Sequence, residues 1–432
     1  MSKQTNGDLA PDLIGVCPPK CDLCLRVCPF AVNQLNITQL ASQRFQSPAA
    51  KQHEAVGFYI ENYVGYSEQH RSAGASGGMT TWVLQKLLAQ RLVDAVITIT
   101  SDSKVVDQEN NLFCFNEMTT PDEVQAASGS FYYPISLGQQ LRHIQELRDD
   151  RRYAIVGLPC TLKGVALAMA KLPRLRSSIR FTLGLVCGHL PNFFYTEYLT
   201  TLSSGVSKPA KKVHYRIKQS ASRANNFCFQ SQTENGSGKK LPFHGAVGVV
   251  YTSRMFQLNA CNYCDDLFAE VADASFMDAW LPEYMGDPNG HSIITVRNPE
   301  LIKLVEQGIT DDSCTLHPLP VEKVFASQES QWLGKSERLR GQIVLAEKEG
   351  RKLPPLRQVG NLTDYYRWLV TISAENWLQT NSKNQWQSMK DRPEIFIRKL
   401  RLGLLILKIN EISSRIIRVG KNPKLIITKL FK

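Results

Sequence analysis

The chain has 432 residues, of which 43% are hydrophobic and 21% charged, with a formal net charge of +12. That length predicts two domains with smaller appendages, and the composition is that of a globular protein able to bury a sizeable core. Residues 1–12 lack the features of a secretory signal, and the most apolar tail stretch, 402–407, is far below the roughly 20 residues of a bilayer span, so a cytoplasmic chain without a transmembrane helix is expected.

Residues 1–45 are a cysteine-rich start and a polar stretch, too short to hold a core without a metal staple. The strongest signal lies here, in Cys17-x3-Cys21-x2-Cys24-x3-Cys28-Pro29. Thiolates two or three residues apart on a tight turn can converge on one cubane, and a closing Cys-Pro is the ferredoxin form of that arrangement. The ferredoxin pattern has two residues between its first pair where this chain has three. A zinc knuckle also uses four cysteines, but the compressed spacing and the Cys-Pro end favour iron and sulfur. Cys17, Cys21 and Cys24 also match the spacing of radical S-adenosylmethionine enzymes, a reading that calls for a run of barrel-like βα units.

From Gly57 the pattern changes. Residues 79–91 read as a helix with Trp82, Val83, Leu87 and Leu88 on one face, opening at the run Gly74-Ala75-Ser76-Gly77-Gly78. Free backbone N–H groups and the helix dipole suit a phosphate there, with Thr80 and Thr81 adding hydroxyls, although such an entry also serves as a plain tight turn. Strands are expected at 93–100, 153–156 and 179–186, with a turn at 157–160 and a helix at 161–171 between the last two. Strand-helix-strand order implies α/β architecture. Residues 213–252 suggest antiparallel hairpins, and 321–352 a helical region.

A second set of cysteines is dispersed. Cys160 and Cys187 each follow a predicted strand, and Cys261-x2-Cys264 lies downstream. Singly, Cys160 or Cys187 reads as a small buried hydrophobe; together the four supply the thiolates that a second cubane needs. Cys114, Cys228 and Cys314 have no such company and read as structural. Eleven cysteines without an export signal argue against a disulfide framework. His189 is a candidate proton donor or a satisfied structural histidine. Lys163 could neutralise an anionic cofactor or cluster, or sit on a wet helix face. Asp265, Asp266, Glu270, Asp273 and Asp278 form an acidic stretch.

From Ile395 onward the chain holds ten Lys or Arg and one acid, Glu411. Ile395, Ile397, Leu400, Leu404, Leu405, Leu407 and Ile412 interleave with Arg398, Lys399, Arg401, Lys408, Arg415 and Arg418. A helix so built suits an anionic membrane surface, an acidic protein partner, or packing on the protein's own body. Only Phe396 and Phe431 are available there for stacking on bases, so no nucleic acid is expected.

The runs 74–81, 93–97, 156–160, 184–188 and 261–273, with Asp278-Ala279-Trp280, together resemble the beta-subunit family of coenzyme F420 hydrogenases and dehydrogenases. That family also contains 7-hydroxymethyl chlorophyll reductase and a ferredoxin-type divinyl chlorophyllide reductase. The resemblance covers about residues 17–298. It implies a ferredoxin-like 4Fe-4S module at 1–45, a flavin-binding α/β domain in two parts, 55–145 and 146–310, and a further 4Fe-4S site. The expected FAD contacts are Gly74, Ser76, Gly77, Gly78, Met79 and Thr80. A helical extension (311–392) and the basic tail (393–432) complete the chain.

A cubane moves one electron at a time and hydride-type reduction needs two, a mismatch a flavin resolves. The expected function is thus an FAD- and 4Fe-4S-dependent reductase between a ferredoxin-like carrier and a small organic substrate, with Asp278, His189 and Lys163 as candidate catalytic residues. The alternatives are a non-catalytic electron-relay subunit and a binding module in a biosynthetic system such as surface-polysaccharide assembly.

Overall fold

The computed structural model describes residues 1–13, 15–32, 34–101, 111–147, 149–220, 222–357 and 365–421, without the side chains of 365 and 414–421. Arg415, Arg418 and Phe431 of the tail therefore have side chains outside the described residues. Two short helices come first, α1 (Leu23–Val27) and α2 (Ile37–Arg44). In α2 the Asn36 side chain accepts from the Gln39 N–H at 2.9 Å, and the Gln39 side chain accepts from the Asn36 N–H at 3.0 Å. Two otherwise orphaned donors are thereby satisfied. Ile37, Leu40, Ala41 and Phe45 are buried, so α2 belongs to the main core.

The body follows as β1 (Glu61–Tyr66), α3 (Met79–Ala89), β2 (Ala95–Thr100), β3 (Cys114–Met118), β4 (Tyr153–Gly157), α4 (Pro159–Lys171), β5 (Ile179–Leu185) and α5 (Phe193–Ser204). Next come β6 (Lys212–Lys218), β7 (Phe227–Thr233), β8 (Ala274–Asp278), β9 (Ser292–Val296), α6 (Pro299–Thr310) and β10 (Thr315–Pro318). Three long helices close the chain: α7 (Val321–Lys348), α8 (Tyr365–Met389) and α9 (Pro393–Lys421).

Eight strands form one mixed sheet in the order β10-β1-β9-β8-β5-β4-β2-β3. The four inner strands β8, β5, β4 and β2 run parallel, and antiparallel partners flank them. Parallel strands are covered on both faces and therefore read as continuous apolar runs. Strand β4 shows why. Ala154 and Val156 pack with Trp82, Phe181 and Leu183 on one face, while Ile155 packs with Ile97, Leu162 and Val165 on the other. The α/β class expected from the sequence is the observed one.

Two local differences matter. Helix α4 begins at Pro159, where a missing N–H costs nothing, so Cys160 lies on its first turn instead of in a preceding loop. The expected hairpin pairing holds for β6 and β7, but residues 243–252 coil into helical turns that bury Val247 and Val250.

A third core is aromatic. Tyr198, Tyr215, Phe229, Phe256, Trp386 and Phe396 join α5 and the β6–β7 hairpin to the α8–α9 pair. Phe256 and Phe396 stack at 5.6 Å and 9°. Offset aromatic pairs of this kind add roughly 0.5–1.5 kcal/mol beyond their buried area. Among the described residues no helix is long and apolar enough to cross a membrane.

Candidate functional site

The carboxyl ends of parallel strands are where open α/β sheets present their chemistry. Cys160 follows β4, Cys187 lies two residues past β5, and Asp278 ends β8. The short helical turn Asn259–Tyr263 carries Cys261, and Cys264 caps it. Leu190 N–H donates to Cys261 Sγ at 3.4 Å, and the Cys264 thiol donates to the Asp266 carbonyl at 3.4 Å. These contacts draw the segments together.

The thiols of Cys160, Cys187, Cys261 and Cys264 lie near enough to perturb one another. Burial, then the Cys264, Cys187 and Cys261 thiols, push Cys160 well up. Burial pushes the Cys187 thiol up to about 12 and raises that of Cys261. Burial thus favours the protonated form of Cys160, Cys187 and Cys261, and ligation to a metal would supply the positive charge that displaces those protons.

Lys335, on α7, brings one cation. It is buried, and its Nζ donates to the Cys187 carbonyl at 3.0 Å and the Asp266 carbonyl at 2.8 Å. Burial works against its charge, but attraction to Cys264, Cys187 and Cys261 outweighs that and holds its pKa above the usual lysine value. Among the described residues no three His, Cys, Asp or Glu side chains close on a single metal ion. The donor set present is four thiols, the number that a cubane takes.

The N-terminal cysteines differ in setting. Cys17, Cys21 and Cys24 are exposed, and Cys28 is half-buried. Helix α1 rests on α4 at Gly164, where an added Cβ would lie 3.6 Å from the Val27 carbonyl and 3.7 Å from Pro29 Cδ. A small cavity is lined by Pro29 and Phe30 on one side and by Pro159, Cys160, Lys163, Tyr263 and Cys264 on the other. The Cys28-Pro29 end thus abuts the wall that holds Cys160. Lys163 is buried in that wall, not on a wet helix face.

Residues 74–78 lie against β1 and β9. Gly78 adopts a φ of 77° just before α3, and a Cβ on Gly77 would fall 2.6 Å from the Gly65 carbonyl and 2.7 Å from the Ser292 nitrogen. Ser76 Oγ donates to the His291 carbonyl at 2.6 Å, Met79 is fully buried, and Thr80 is partly exposed on the first turn of α3. The chain's own packing therefore demands these glycines.

Beside this loop is a cationic row invisible to sequence reasoning. Lys218 Nζ donates to the Ser76 carbonyl at 2.9 Å and the Asn289 carbonyl at 2.6 Å, and also to the Arg71 carbonyl. Burial, with Arg71 and Arg216 nearby, lowers its pKa to about 8. Arg71 donates to the Gly290 carbonyl at 2.9 Å and pairs with Asp287, its guanidinium 3.9 Å from the Tyr66 ring centroid. Arg216 forms a two-pronged pair with Asp278 at 2.9 and 3.0 Å, between the rings of Phe227 and Trp280. Half-buried Tyr132 neighbours both Arg216 and Cys187, linking the row to the inner cysteines.

Of the other candidates, His189 is buried and stacks on Tyr251 at 4.1 Å. Burial, then Arg254, Arg338 and Lys335, hold its pKa well below the usual value, which favours the neutral ring. Asp273 is a structural clasp, accepting from Arg44 at 2.6 Å, the Thr182 N–H at 2.8 Å and the Thr182 hydroxyl at 2.9 Å. Asp266 and Glu270 are buried around Arg357, and Glu270 pairs with it. Cys228 and Cys314 are buried, and Cys114 is half-buried.

Two family models, for the N-terminal and the C-terminal parts of the coenzyme F420 hydrogenase/dehydrogenase beta subunit, match the chain over residues 62–142 and 150–322 respectively. No curated protein matches it. A chain of the F420-reducing [NiFe] hydrogenase complex from Methanosarcina barkeri shares the fold with a TM-score of 0.50 and 15% identity, over 69% of this chain and 94% of that one. With both models matched in order across more than half of its length, the chain belongs to the coenzyme F420 hydrogenase/dehydrogenase beta-subunit family.

Proposed function

We propose that this protein is a redox subunit that holds two 4Fe-4S clusters and FAD and moves electrons between ferredoxin or a similar carrier and a small organic substrate, in either direction. The observation that carries this reading is the meeting of four thiols from three separate segments around the ammonium of Lys335. When bound, the clusters supply one-electron steps and the flavin exchanges one-electron for two-electron chemistry. Cys17, Cys21, Cys24 and Cys28 would hold the outer cluster, and Cys160, Cys187, Cys261 and Cys264 the inner one.

Lys335 offsets part of the negative charge that thiolates bring into a buried place. Arg71, Lys218 and Arg216 lie beside residues 74–78 and suit the phosphates of FAD, with Thr80 adding a hydroxyl. Asp278 fixes the Arg216 guanidinium, which makes it a positioning residue. Neutral His189 and the wall lysine Lys163 remain candidates for proton and charge handling near the cysteines.

The test is anaerobic preparation with iron, sulfide and flavin quantified. About eight iron, eight sulfide and one FAD are expected, on the four-iron stoichiometry of each cubane. Cys261→Ser with Cys264→Ser should remove about half of the iron. Zinc in place of iron, or iron untouched by those changes, would sink the two-cluster reading.

The exposure of Cys17, Cys21 and Cys24 favours a second reading, a relay subunit that passes electrons to a separate catalytic partner. Loaded protein that exchanges electrons with ferredoxin but reduces neither a deazaflavin nor a tetrapyrrole on its own would establish that role.

A further inference from the structure

Helix α9 has two apolar sides. Because an α-helix repeats every ~3.6 residues, Phe396, Leu400 and Leu407 fall on one side and Leu402, Leu405, Ile409 and Ile412 on the opposite one. The first side packs into the aromatic core, with Phe396 and Leu400 fully buried. The second faces outward, and its four residues are 48% to 64% exposed. Helix α8 adds Tyr366, Val370 and Trp377, all exposed. Between the helices runs a groove of about 430 Å³ lined by Leu369, Val370, Trp377, Leu402 and Ile406, with Ser373, Ala374 and Gly403 completing it.

An outward apolar surface of this extent on two neighbouring helices calls for an occupant. Its surroundings are basic: Arg398, Lys399, Arg401 and Lys408 are exposed on α9 and form no ion pair among the described residues. A second copy would set these cations against their own duplicates, which disfavours self-association. The exposed cations along this face call for an anionic occupant. Cations beside an apolar stripe, with an exposed tryptophan and tyrosine, are the features of a helix lying in a lipid interface.

We propose that the outer face of the α8–α9 hairpin docks on an anionic membrane surface, with Leu402, Leu405, Ile409, Val370 and Trp377 entering the headgroup boundary and the α9 cations meeting lipid phosphates. Both family models end before α8. The proposal is therefore independent of the cofactor reading.

The test uses the full, cofactor-loaded chain, sedimented with vesicles of phosphatidylcholine alone or mixed with phosphatidylglycerol. Binding to the mixed vesicles should exceed that to neutral ones at least tenfold and weaken with added salt. Leu405→Glu with Ile409→Glu, whose side chains point away from the core, should lose binding at least tenfold while keeping the circular dichroism and cofactor content of the wild type. Removing only residues 422–432 should leave much of the binding in place. The proposal is overturned if neutral vesicles bind equally well, if the double glutamate variant binds like the wild type, or if the short truncation alone abolishes binding. An intact chain that ignores vesicles but captures an acidic helical peptide likewise overturns it and assigns the face to a protein.

Discussion

Lys335 illustrates how one side chain serves both fold and chemistry. Its ammonium satisfies two buried carbonyls and stands beside the inner thiols. Lys335→Met should destabilise the protein by about 2–4 kcal/mol in urea unfolding, because charge-assisted hydrogen bonds are lost and buried acceptors are left bare. In loaded protein the same change should move the inner cluster's reduction potential downward, since an added electron loses its nearby positive charge; potentiometric titration reads this, and Lys335→Arg should restore much of it. Nothing in the sequence marks this lysine, which lies 71 residues past Cys264 on a helix of ordinary composition. The four cysteines beside it were legible as a group, because the C-x2-C spacing and the positions after two strands set them apart in the sequence. A second residue-scale outcome concerns pH. The Arg152 side chain and then its N–H hold the Asp94 carboxyl down at about 2. A depressed carboxylate adds stability above its unfolded value of ~3.9 and loses it as pH falls toward 2. The pair is partly exposed, so Asp94→Asn should cost only about 0.5 kcal/mol at pH 6 and nothing near pH 2, measured by thermal unfolding at both.

At the scale of elements, the parallel strands β2, β4 and β5 and helix α4 were legible because both faces of those strands are covered and the apolar runs are unbroken, while the edge strand β3 went unread. The antiparallel side of the sheet was not. Strands β1, β9 and β10 are short, and their pairing joins residues far apart in the chain, such as Val64 with Ile293 and with His317. No local pattern reports such neighbours. The glycine run before α3 was legible as a special backbone but not in its reason. A Cβ at Gly77 meets the backbone of β1 and β9, so Gly77→Ala should lower stability by roughly 1–3 kcal/mol even in protein stripped of flavin. A calorimetric scan of stripped protein decides this: an unchanged Tm would show that the glycine serves only a bound group.

Across the whole molecule, segments far apart in the chain are tied to one another. Lys383 on α8 donates to Asp8 at 2.9 Å, and Trp386 donates to Glu197 on α5 at 3.1 Å. Removing residues 393–432 would uncover Phe256, Tyr198 and Trp386, so the tail is not a detachable anchor. Phe396→Ala alone should cost about 3–5 kcal/mol, visible as a lowered urea midpoint. From sequence, the amphipathic stripe and its packing on the body were readable as one alternative, but which residues face inward was not, since the aromatic core they join is gathered from distant elements. The unequal depth of the two cysteine sets bears on how the protein weathers air. Oxidants reach exposed thiolates and their metal first, and three of the four outer cysteines stand at the surface while all four of the inner set are half-buried. A loaded preparation opened to oxygen should therefore bleach in two stages, shedding its surface iron within the first stage and keeping its inner iron into the second, so that the sample in hand becomes a half-metallated protein with its link to the carrier severed.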